Sequence, residues 1–535
     1  MSHCGLHHLA LLLLVIGCGS APVFAQTSRP KIKVPAAGTT TDKPRAEASS
    51  KFDIPKVTGE FLANSTEPEL ASKILELRQL LPEDLRKPAN MSIEQLHKLV
   101  DQTLLMSERY IVRFPEGDGR KSVLPAFAKL MVVNNSRFFM VSNERWKQQN
   151  NGEPMPDEAR KALRARYFDR VLTVVEEAIR LNPEGKLNEE LWTIRGQANW
   201  FAGRFDGAIE SYQKVLALYP TSPKAAENLL ALLNAYLTSR QYDQSLNLAN
   251  QFLSTYPKHE LVSHVYQLKA KALYEAGRPE DALAWWLSCQ RFLHLAGTGS
   301  VKIGEETVAF DPPVRQSFRR YYDEALFMTG FFKGYLGDLE GAREAFSKAV
   351  QHMMDQQAMN MLDPRSQVFL GRADKVHNAY LSLVGFPVPP LNISMWLDEV
   401  PSQPQAEEGN VSVIILAPYE NPRYDETQTT THELYTPHWH EGLRVTWVAD
   451  PKGFADVPGQ EPRLRSQRDR LGLTFPVGME TERGWPNFID YQASVGGGTL
   501  VVVDKQGKVA WYKMDPTFRD GNLLRKLVRR LLDAP

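Results

Sequence analysis

The spacing of apolar positions changes along the chain and divides it into three regions. Residues 9–16 form an uninterrupted apolar run, which is shorter than the roughly 20 residues needed to cross a bilayer. From about residue 52 to residue 380, apolar side chains recur at intervals of three and four, as at Leu70, Ile74 and Leu77, which is typical of amphipathic helices. Nearer the C-terminus, short β-branched runs alternate with helical stretches. The pattern predicts an apolar leader, a long helical region and a C-terminal α/β region.

The leader has the features of an export signal. The first 25 residues contain no Lys, Arg, Asp or Glu, and small residues precede Gln26. This predicts a signal peptide over 1–25 that is cut after Ala25. The sequence at 15–18 also resembles a bacterial lipobox, so lipidation of Cys18 and a membrane tether are the alternative. Either outcome predicts an exported protein, periplasmic or extracellular. Residues 26–50 have almost no large apolar side chain and are predicted to be a disordered linker.

The helical region contains an internal repeat. Residues 51–160 are predicted to form an N-terminal helical part, interrupted at 115–119 and at Pro125. Residues 161–380 are predicted to form a solenoid, because two markers recur at intervals of 37 residues: Pro183, Pro220 and Pro257, and the small residues Ala208, Ser245 and Ala282. A related block covers 325–350, after an insertion near 297–313 that is expected to be irregular.

The block at 191–220 resembles a tetratricopeptide repeat. Trp192, Gly196, Ala208, Tyr212 and Pro220 stand at the signature positions of that family. In such a hairpin the small residues let two helices approach closely, and the tyrosine fills the space beside them. The family resemblance implies a groove on the inner helices that binds a protein or peptide partner, and the repeat register places six residues near it: Gln197, Trp200, Asn234, Thr238, Lys271 and Tyr274.

The α/β region begins after a segment rich in proline and glutamine. Strands are predicted at 411–416, 443–449, 500–503 and 509–512, and helices at 426–439, 464–471 and 522–532. The last helix is amphipathic and carries Arg525, Lys526, Arg529 and Arg530 on one side. This basic face is expected to be solvated rather than to bind nucleic acid or membrane.

This order of elements, over 384–532, resembles the thioredoxin-like fold of exported thiol-disulfide oxidoreductases and thiol peroxidases. The family places two cysteines after its first strand, whereas this chain has Glu420 and Arg423 at those positions. Gly498 stands where the family has a cis-proline. Neither Glu nor Arg forms a mixed disulfide, so the resemblance implies a thioredoxin-like domain over 381–535 that has lost its redox chemistry.

Charge and cysteine content disfavour nucleic-acid binding and thiol chemistry. Lys and Arg together number 63, as do Asp and Glu, so no net field attracts nucleic acid. Past residue 18 the chain has a single cysteine, Cys289, which lies among aromatic residues and is expected to be buried. His432, His438 and His440 are weak candidates for a metal site, since residues two apart on a helix point to different sides. No cofactor is predicted.

Together these patterns predict a multidomain protein: an all-α tetratricopeptide-like helical solenoid followed by an α/β thioredoxin-like domain. The function expected is that of an exported adaptor or scaffold, in which the solenoid binds a partner and the redox-inactive domain is a structural or binding module. The alternative is a thiol-disulfide oxidoreductase or thiol peroxidase that uses a non-standard thiol. The adaptor hypothesis implies no catalytic residue.

Overall fold

The computed structural model describes residues 57–81, 91–153, 155–185, 187–391, 393, 395–397, 409–418, 422–450, 460–480, 487, 490–493, 498–514 and 521–535. The predicted signal peptide, the linker at 26–50, Cys18 and Glu420 lie outside these residues. The chain divides into two compact units between Ser239 and Arg240. The boundary therefore falls inside the region of 37-residue repeats, and the α/β region shares the second unit with the later repeats.

The first unit is helical over its described residues. Its apolar residues form one core around Leu70, Leu99 and Tyr110, and another around Phe127 and Phe168. The helices are α1 (Gly59–Asn64), α2 (Glu67–Leu80), α3 (Ile93–Arg113), α4 (Arg120–Gln149), α5 (Asp157–Leu181), α6 (Asn188–Phe201), α7 (Phe205–Leu218) and α8 (Ala225–Thr238).

Pro125 does not interrupt the helical region, contrary to the sequence prediction. Helix α4 runs through it without a break, whereas the expected interruption at 115–119 is present as the loop between α3 and α4. Pro125 is the sixth residue of α4, so only its own bond to the carbonyl one turn earlier is lost. Its ring is buried in the helix interface, which offsets that loss.

The second unit begins with helices that continue the repeats. Its first part consists of α9 (Tyr242–Thr255), α10 (Val262–Glu275), α11 (Pro279–Thr298), β1 (Ser300–Ile303), β2 (Glu306–Ala309), α12 (Pro312–Leu336), α13 (Leu339–Ala358) and α14 (Pro364–Ser382). The insertion expected to be irregular is instead a β-hairpin, in which Ile303 pairs with Glu306. Gly304 has a φ of 61°, and this backbone conformation favours glycine in a two-residue turn.

The predicted period of the repeats is confirmed by the helix boundaries. First helices begin at Asn188, Ala225 and Val262, and second helices begin at Phe205, Tyr242 and Pro279. Both series advance by 37 residues. Each repeat is thus a helical hairpin of nearly constant size, as stacked repeats require.

A glycine on the first helix and an aromatic ring on the second set the helix spacing in the hairpins. A methyl group added at Gly196 of α6 would lie 2.6 Å from Cε1 of Tyr212 on α7. Gly330 of α12 faces Phe346 of α13 in the same way, at 2.9 Å from Cδ1. The predicted roles of Gly196 and Tyr212 are confirmed.

The remainder of the second unit contains a six-stranded mixed sheet. Its elements are β3 (Met395–Trp396), β4 (Val411–Pro418), α15 (Pro422–His438), a 3₁₀ turn (Trp439–Glu441), β5 (Leu443–Asp450), α16 (Gln460–Leu471), β6 (Val477–Met479), β7 (Thr499–Val503), β8 (Val509–Met514) and α17 (Gly521–Asp533). All seven predicted elements are present, with boundaries that differ by a few residues. The strand order is β3-β6-β5-β4-β7-β8.

The connectivity of this sheet is thioredoxin-like. Strand β4 is followed by α15 and by β5, which pairs with β4 in parallel. Strand β7 pairs with β4 on the other side in the antiparallel sense, and β8 and α17 complete the fold. The predicted fold class, a tetratricopeptide-like helical solenoid followed by an α/β thioredoxin-like domain, is confirmed.

Strand β8 of the sheet packs directly on helices of the repeats within the second unit. Trp511 is fully buried, with its ring centroid 5.5 Å from that of Phe331 and 5.9 Å from that of Tyr335. Lys513 donates a hydrogen bond of 2.8 Å to the hydroxyl of Tyr274 and lies 4.6 Å from the ring centroid of Phe331. The α/β domain is therefore joined to the repeat helices α10 and α12 by aromatic and cation–π contacts.

The basic face of α17 is exposed, as expected, and two of its four cations also donate to carbonyls at the ends of repeat helices. Lys526 donates to the carbonyl of Gly277, just beyond the end of α10, and Arg530 donates to the carbonyl of Tyr335, in the last turn of α12. Cations are favoured at helix C-termini, where carbonyls lack intrahelical partners. Arg525 and Arg529 form ion pairs with Glu433 and Glu441.

Two glycines of the second unit provide a matched test of the hairpin packing. Gly330→Ala places a methyl group against the fully buried ring of Phe346 and should lower the free energy of unfolding by about 1–3 kcal/mol. Gly371→Ala, in α14 with open space around it, should raise it by about 0.5–1 kcal/mol. Urea denaturation followed by circular dichroism measures both. Equal effects of the two substitutions would contradict the packing role of Gly330.

Candidate functional site

The candidate site of the first unit lies on the inner face, which we define as the surface shared by α4, α6 and α8. A cavity of about 50 Å³ opens there. It is lined by Lys129, Val132 and Val133 of α4, by Glu190, Thr193, Ile194 and Gln197 of α6, and by Lys224, Glu227, Asn228 and Ala231 at α8. Residues three and four apart on a helix share a face, so the regular hairpins bring these side chains together.

Asn228 is the most unusual residue of this cavity. It is only 2% exposed, and its Oδ1 lies 3.0 Å from Thr193 Oγ1, whose hydroxyl lies at the same distance from the carbonyl of Glu189. Its Nδ2 has no hydrogen-bond partner among the described residues. A buried amide without an acceptor costs about 1–3 kcal/mol. An acceptor atom supplied by a ligand in the cavity would recover this cost.

The cavity carries charges of both signs. Lys129 and Glu190 form an ion pair across it, and Lys224 and Glu227 lie at its edge. With cations and carboxylates in equal number, the site does not favour a strongly charged ligand. Its chemistry suits a neutral, polar group that offers hydrogen-bond acceptors.

The four predicted groove residues of the first unit lie on α6 and α8 and differ in their surroundings. Gln197 lines the cavity and is half-buried. Trp200 packs against the core of the unit, and its Nε1 is buried with no partner among the described residues. Asn234 is 1% exposed and its Nδ2 likewise has no such partner, while Thr238 donates its hydroxyl to the carbonyl of Asn234.

The two predicted groove residues of the second unit both contact neighbouring side chains. Lys271 lies 3.9 Å from the carboxylate of Glu275. Tyr274 accepts the hydrogen bond from Lys513, and its ring packs edge-on against Phe331 and Phe332. In this unit the α/β domain therefore occupies the surface next to Tyr274.

The structure describes two of the three residues that stand at the family's redox-motif positions, namely Arg423 and Gly498. Arg423 falls in the first turn of α15, and Gly498 is buried directly before β7. Glu420 lies outside the described residues.

Cys289 of α11 is buried, as the sequence suggested. It is 2% exposed, and its thiol donates to the carbonyl of Trp286. Burial raises the pKa of the thiol to about 12. Because the thiolate is the reactive form, this environment makes Cys289 a poor nucleophile.

Of the three candidate histidines of the α/β domain, His432 lies within α15, His438 is its last residue and His440 lies in the 3₁₀ turn that follows. His438 and His440 lie 3.3 Å and 4.0 Å from the carboxylate of Glu441, whereas His432 packs near Phe475. Among the described residues, no group of three or more His, Cys, Asp or Glu side chains is placed to share a metal ion.

A second, open groove of about 750 Å³ lies between α9, α10 and α11 of the second unit. Its aromatic residue is Trp285, whose ring stacks on Tyr266 at 5.3 Å. The ammonium group of Lys269 covers the ring of Trp285 at 3.7 Å. Tyr266 and Lys269 therefore occupy the ring surface of Trp285 against which a ligand would stack.

Sequence reasoning missed Asn228, although the repeat contains a signal for it. The same register position is Leu191 in the preceding repeat and Val265 in the following one, and both are buried. An asparagine at a core position of a repeat is therefore a local exception. Comparing the polarity of residues 37 apart would have identified it.

Comparisons with known proteins find a family model that matches part of the helical region. A family model described as an outer membrane lipoprotein, YfiO, matches residues 184–284. No curated protein matches the chain. No helix in the described part of the chain is long and apolar enough to span a membrane.

Several solved structures are similar to parts of the chain. A thiol-disulfide isomerase from Corynebacterium glutamicum is 16% identical over 28% of this chain and 99% of that chain, with a TM-score of 0.25. A Rap protein complexed with Competence and Sporulation Factor is 17% identical over 59% and 73%, with a TM-score of 0.28. A tetratricopeptide repeat protein from Parabacteroides merdae is 13% identical over 58% and 98%, with a TM-score of 0.24.

The state of Cys289 can be tested by alkylation in a chain that carries Cys4→Ser and Cys18→Ser. Native protein at pH 8 should react with iodoacetamide far more slowly than protein in urea, because the thiol is buried and its pKa is raised. Mass spectrometry over time measures the modified fraction. Complete modification of native protein at the rate of the unfolded chain would contradict the assignment.

Proposed function

We propose that this chain is an exported adaptor, in which the tetratricopeptide-like solenoid binds an extended segment of a partner protein and the thioredoxin-like domain is a structural module. The observation that carries the proposal is Asn228, which lines the cavity of the inner face and whose buried Nδ2 has no acceptor among the described residues. A peptide backbone supplies such an acceptor at every residue. The binding of an extended segment would thus satisfy a group that the fold leaves unsatisfied.

Buried donors without a partner occur on the two helices that border the cavity. Trp200 Nε1, Asn228 Nδ2 and Asn234 Nδ2 all lie on α6 and α8, and none has a partner among the described residues. Of these three residues, Asn228 is the one that lines the cavity, where a peptide carbonyl could accept from its Nδ2. Gln197 adds an amide beside them. Balanced charge around the cavity favours backbone recognition over recognition of a charged group.

The thioredoxin-like domain is proposed to serve without redox chemistry. Glu420 and Arg423 replace the two cysteines that the family resemblance would require. The one cysteine past residue 18, Cys289, is buried on a repeat helix, which stands against the alternative of an oxidoreductase or thiol peroxidase. The contact of β8 with Tyr274 and Phe331 supports a structural role for the domain.

The proposed location is the cell envelope or the outside of the cell. The leader at 1–25 and the match of 184–284 to a family described as an outer membrane lipoprotein both support export. Lipidation at Cys18 would tether the chain to a membrane, with the linker at 26–50 as spacer. Cleavage after Ala25 would release it.

The inner face can be tested by site-specific photo-cross-linking in cells. With p-benzoylphenylalanine in place of Gln197, a covalent adduct with one partner should form, since this position borders the cavity. The same group in place of Lys161, an exposed residue of α5, is the control. Adduct formation should fall about tenfold with Asn228→Leu, which removes the donor and restores the apolar residue of the neighbouring repeats.

Two results would contradict the proposal. One is equal adduct formation from positions 161 and 197, which would indicate random collision. The other is an adduct at position 197 that Asn228→Leu leaves unchanged while circular dichroism shows a folded chain.

The fate of the leader is tested separately, by fractionation of cells that express the natural chain or Cys18→Ser. If Cys18 is lipidated, the natural chain should be found with membranes and the variant should not be. Mass spectrometry of the mature N-terminus identifies a chain that begins at Gln26 instead. A full-length chain that retains residues 1–25 in the cytoplasm would contradict export.

A further inference from the structure

Three rings from consecutive helices of the second unit form a cluster. His294 lies on α11, Tyr322 on α12 and His352 on α13. The ring centroid of Tyr322 is 4.9 Å from each histidine ring, and the two histidine rings are 6.2 Å apart. His294 is exposed and His352 half-buried, so the cluster is accessible to solvent.

A buried carboxylate fixes the orientation of one of these histidines. Asp323 is 1% exposed, and its Oδ1 lies 2.7 Å from Nδ1 of His352. Gln356 donates to the same oxygen at 3.0 Å. Since Nδ1 faces the carboxylate, Nε2 lies on the opposite edge of the ring and faces away from Asp323. No hydrogen bond to this Nε2 or to either ring nitrogen of His294 comes from the described residues.

We propose that His294 and His352 together bind one divalent transition-metal ion, with Asp323 as the positioning residue of His352. Imidazole nitrogen is a preferred ligand of Zn²⁺ and Cu²⁺. A carboxylate behind a ligating histidine fixes its tautomer and raises its basicity. Two imidazoles that share a metal at roughly 2.1 Å have ring centres about 5–6.5 Å apart. The observed separation of 6.2 Å falls within this range.

The site has two protein ligands, and water completes the coordination. No third His, Cys, Asp or Glu of the described residues is placed to join the two histidines. A metal held in this way links α11 to α13 across the face of α12, yet exchanges readily with solution. A purely structural role of the Asp323–His352 contact, joining α12 to α13, would not require His294, because His294 is not part of that contact.

The test is a titration of the full chain with Zn²⁺, followed by isothermal calorimetry at pH 7.5. His294→Ala should remove one binding event or weaken it at least tenfold, and His352→Ala should do the same. Asp323→Asn, which leaves both ligands in place, should weaken binding about ten- to a hundredfold. In a spectrum of histidine ring nitrogens, Zn²⁺ should shift the signals of residues 294 and 352.

Matched controls are His377→Ala on α14 and His440→Ala beyond α15, which should leave this binding event unchanged. The proposal is overturned if His294→Ala binds Zn²⁺ as the natural chain does, or if only His440→Ala loses the event. Because His294 is exposed, its substitution keeps the fold intact and decides the matter even if Asp323→Asn unfolds. Circular dichroism of each variant verifies the fold.

Discussion

The contact of β8 with the repeat helices α10 and α12 is the constraint on which the second unit depends. Trp511 and Lys513 are two residues apart, so they lie on the same face of the strand, and together they contact aromatic rings of α10 and α12. Burial of one tryptophan contributes about 4–6 kcal/mol. The cations of α17 add hydrogen bonds to carbonyls at the ends of α10 and α12. Repeat helices and sheet thus share one set of core contacts.

This joint changes how the thioredoxin-like domain is understood. Residues that follow α14 enter the sheet at once, since the amide of Gly385 donates to the carbonyl of Val509. Arg343 of α13 donates to the carbonyls of Tyr380 and Val384, which fixes the same passage. The domain is thus fixed both by β8 and by the segment that leads into it from α14. Such a domain can cover the last helices of the solenoid. The proposed adaptor function places recognition on the inner face of the first unit, whereas this joint stabilises the second unit.

The fold could be predicted largely from the sequence because its signals are periodic and local. Helical spacing, the interval of 37 residues and the β-branched runs each depend on residues close together along the chain. Pro125 was mispredicted because its position near the start of a helix limits the damage, which sequence alone does not reveal. The β-hairpin at Gly304 was missed because each of its strands is only four residues long, which gives a weak pattern.

Site residues were harder to predict because they depend on contacts between distant parts of the chain. The basic residues of α17 have the pattern of a solvated face, yet Lys526 and Arg530 meet carbonyls some two hundred residues away in sequence. Tyr274 was assigned to a groove from its register, but Lys513 contacts it from the sheet. Likewise, Asp323 and His352 become partners only when α12 and α13 pack.

The most direct test of the structural role of the α/β domain is native-state hydrogen exchange. The account predicts that amides of β8 and of α12 exchange through one common opening, with the same free energy and the same dependence on denaturant. That result would show that sheet and repeats unfold as a single unit. Exchange of β8 and α17 through an earlier opening, while α12 stays protected, would show an independent domain and contradict the account.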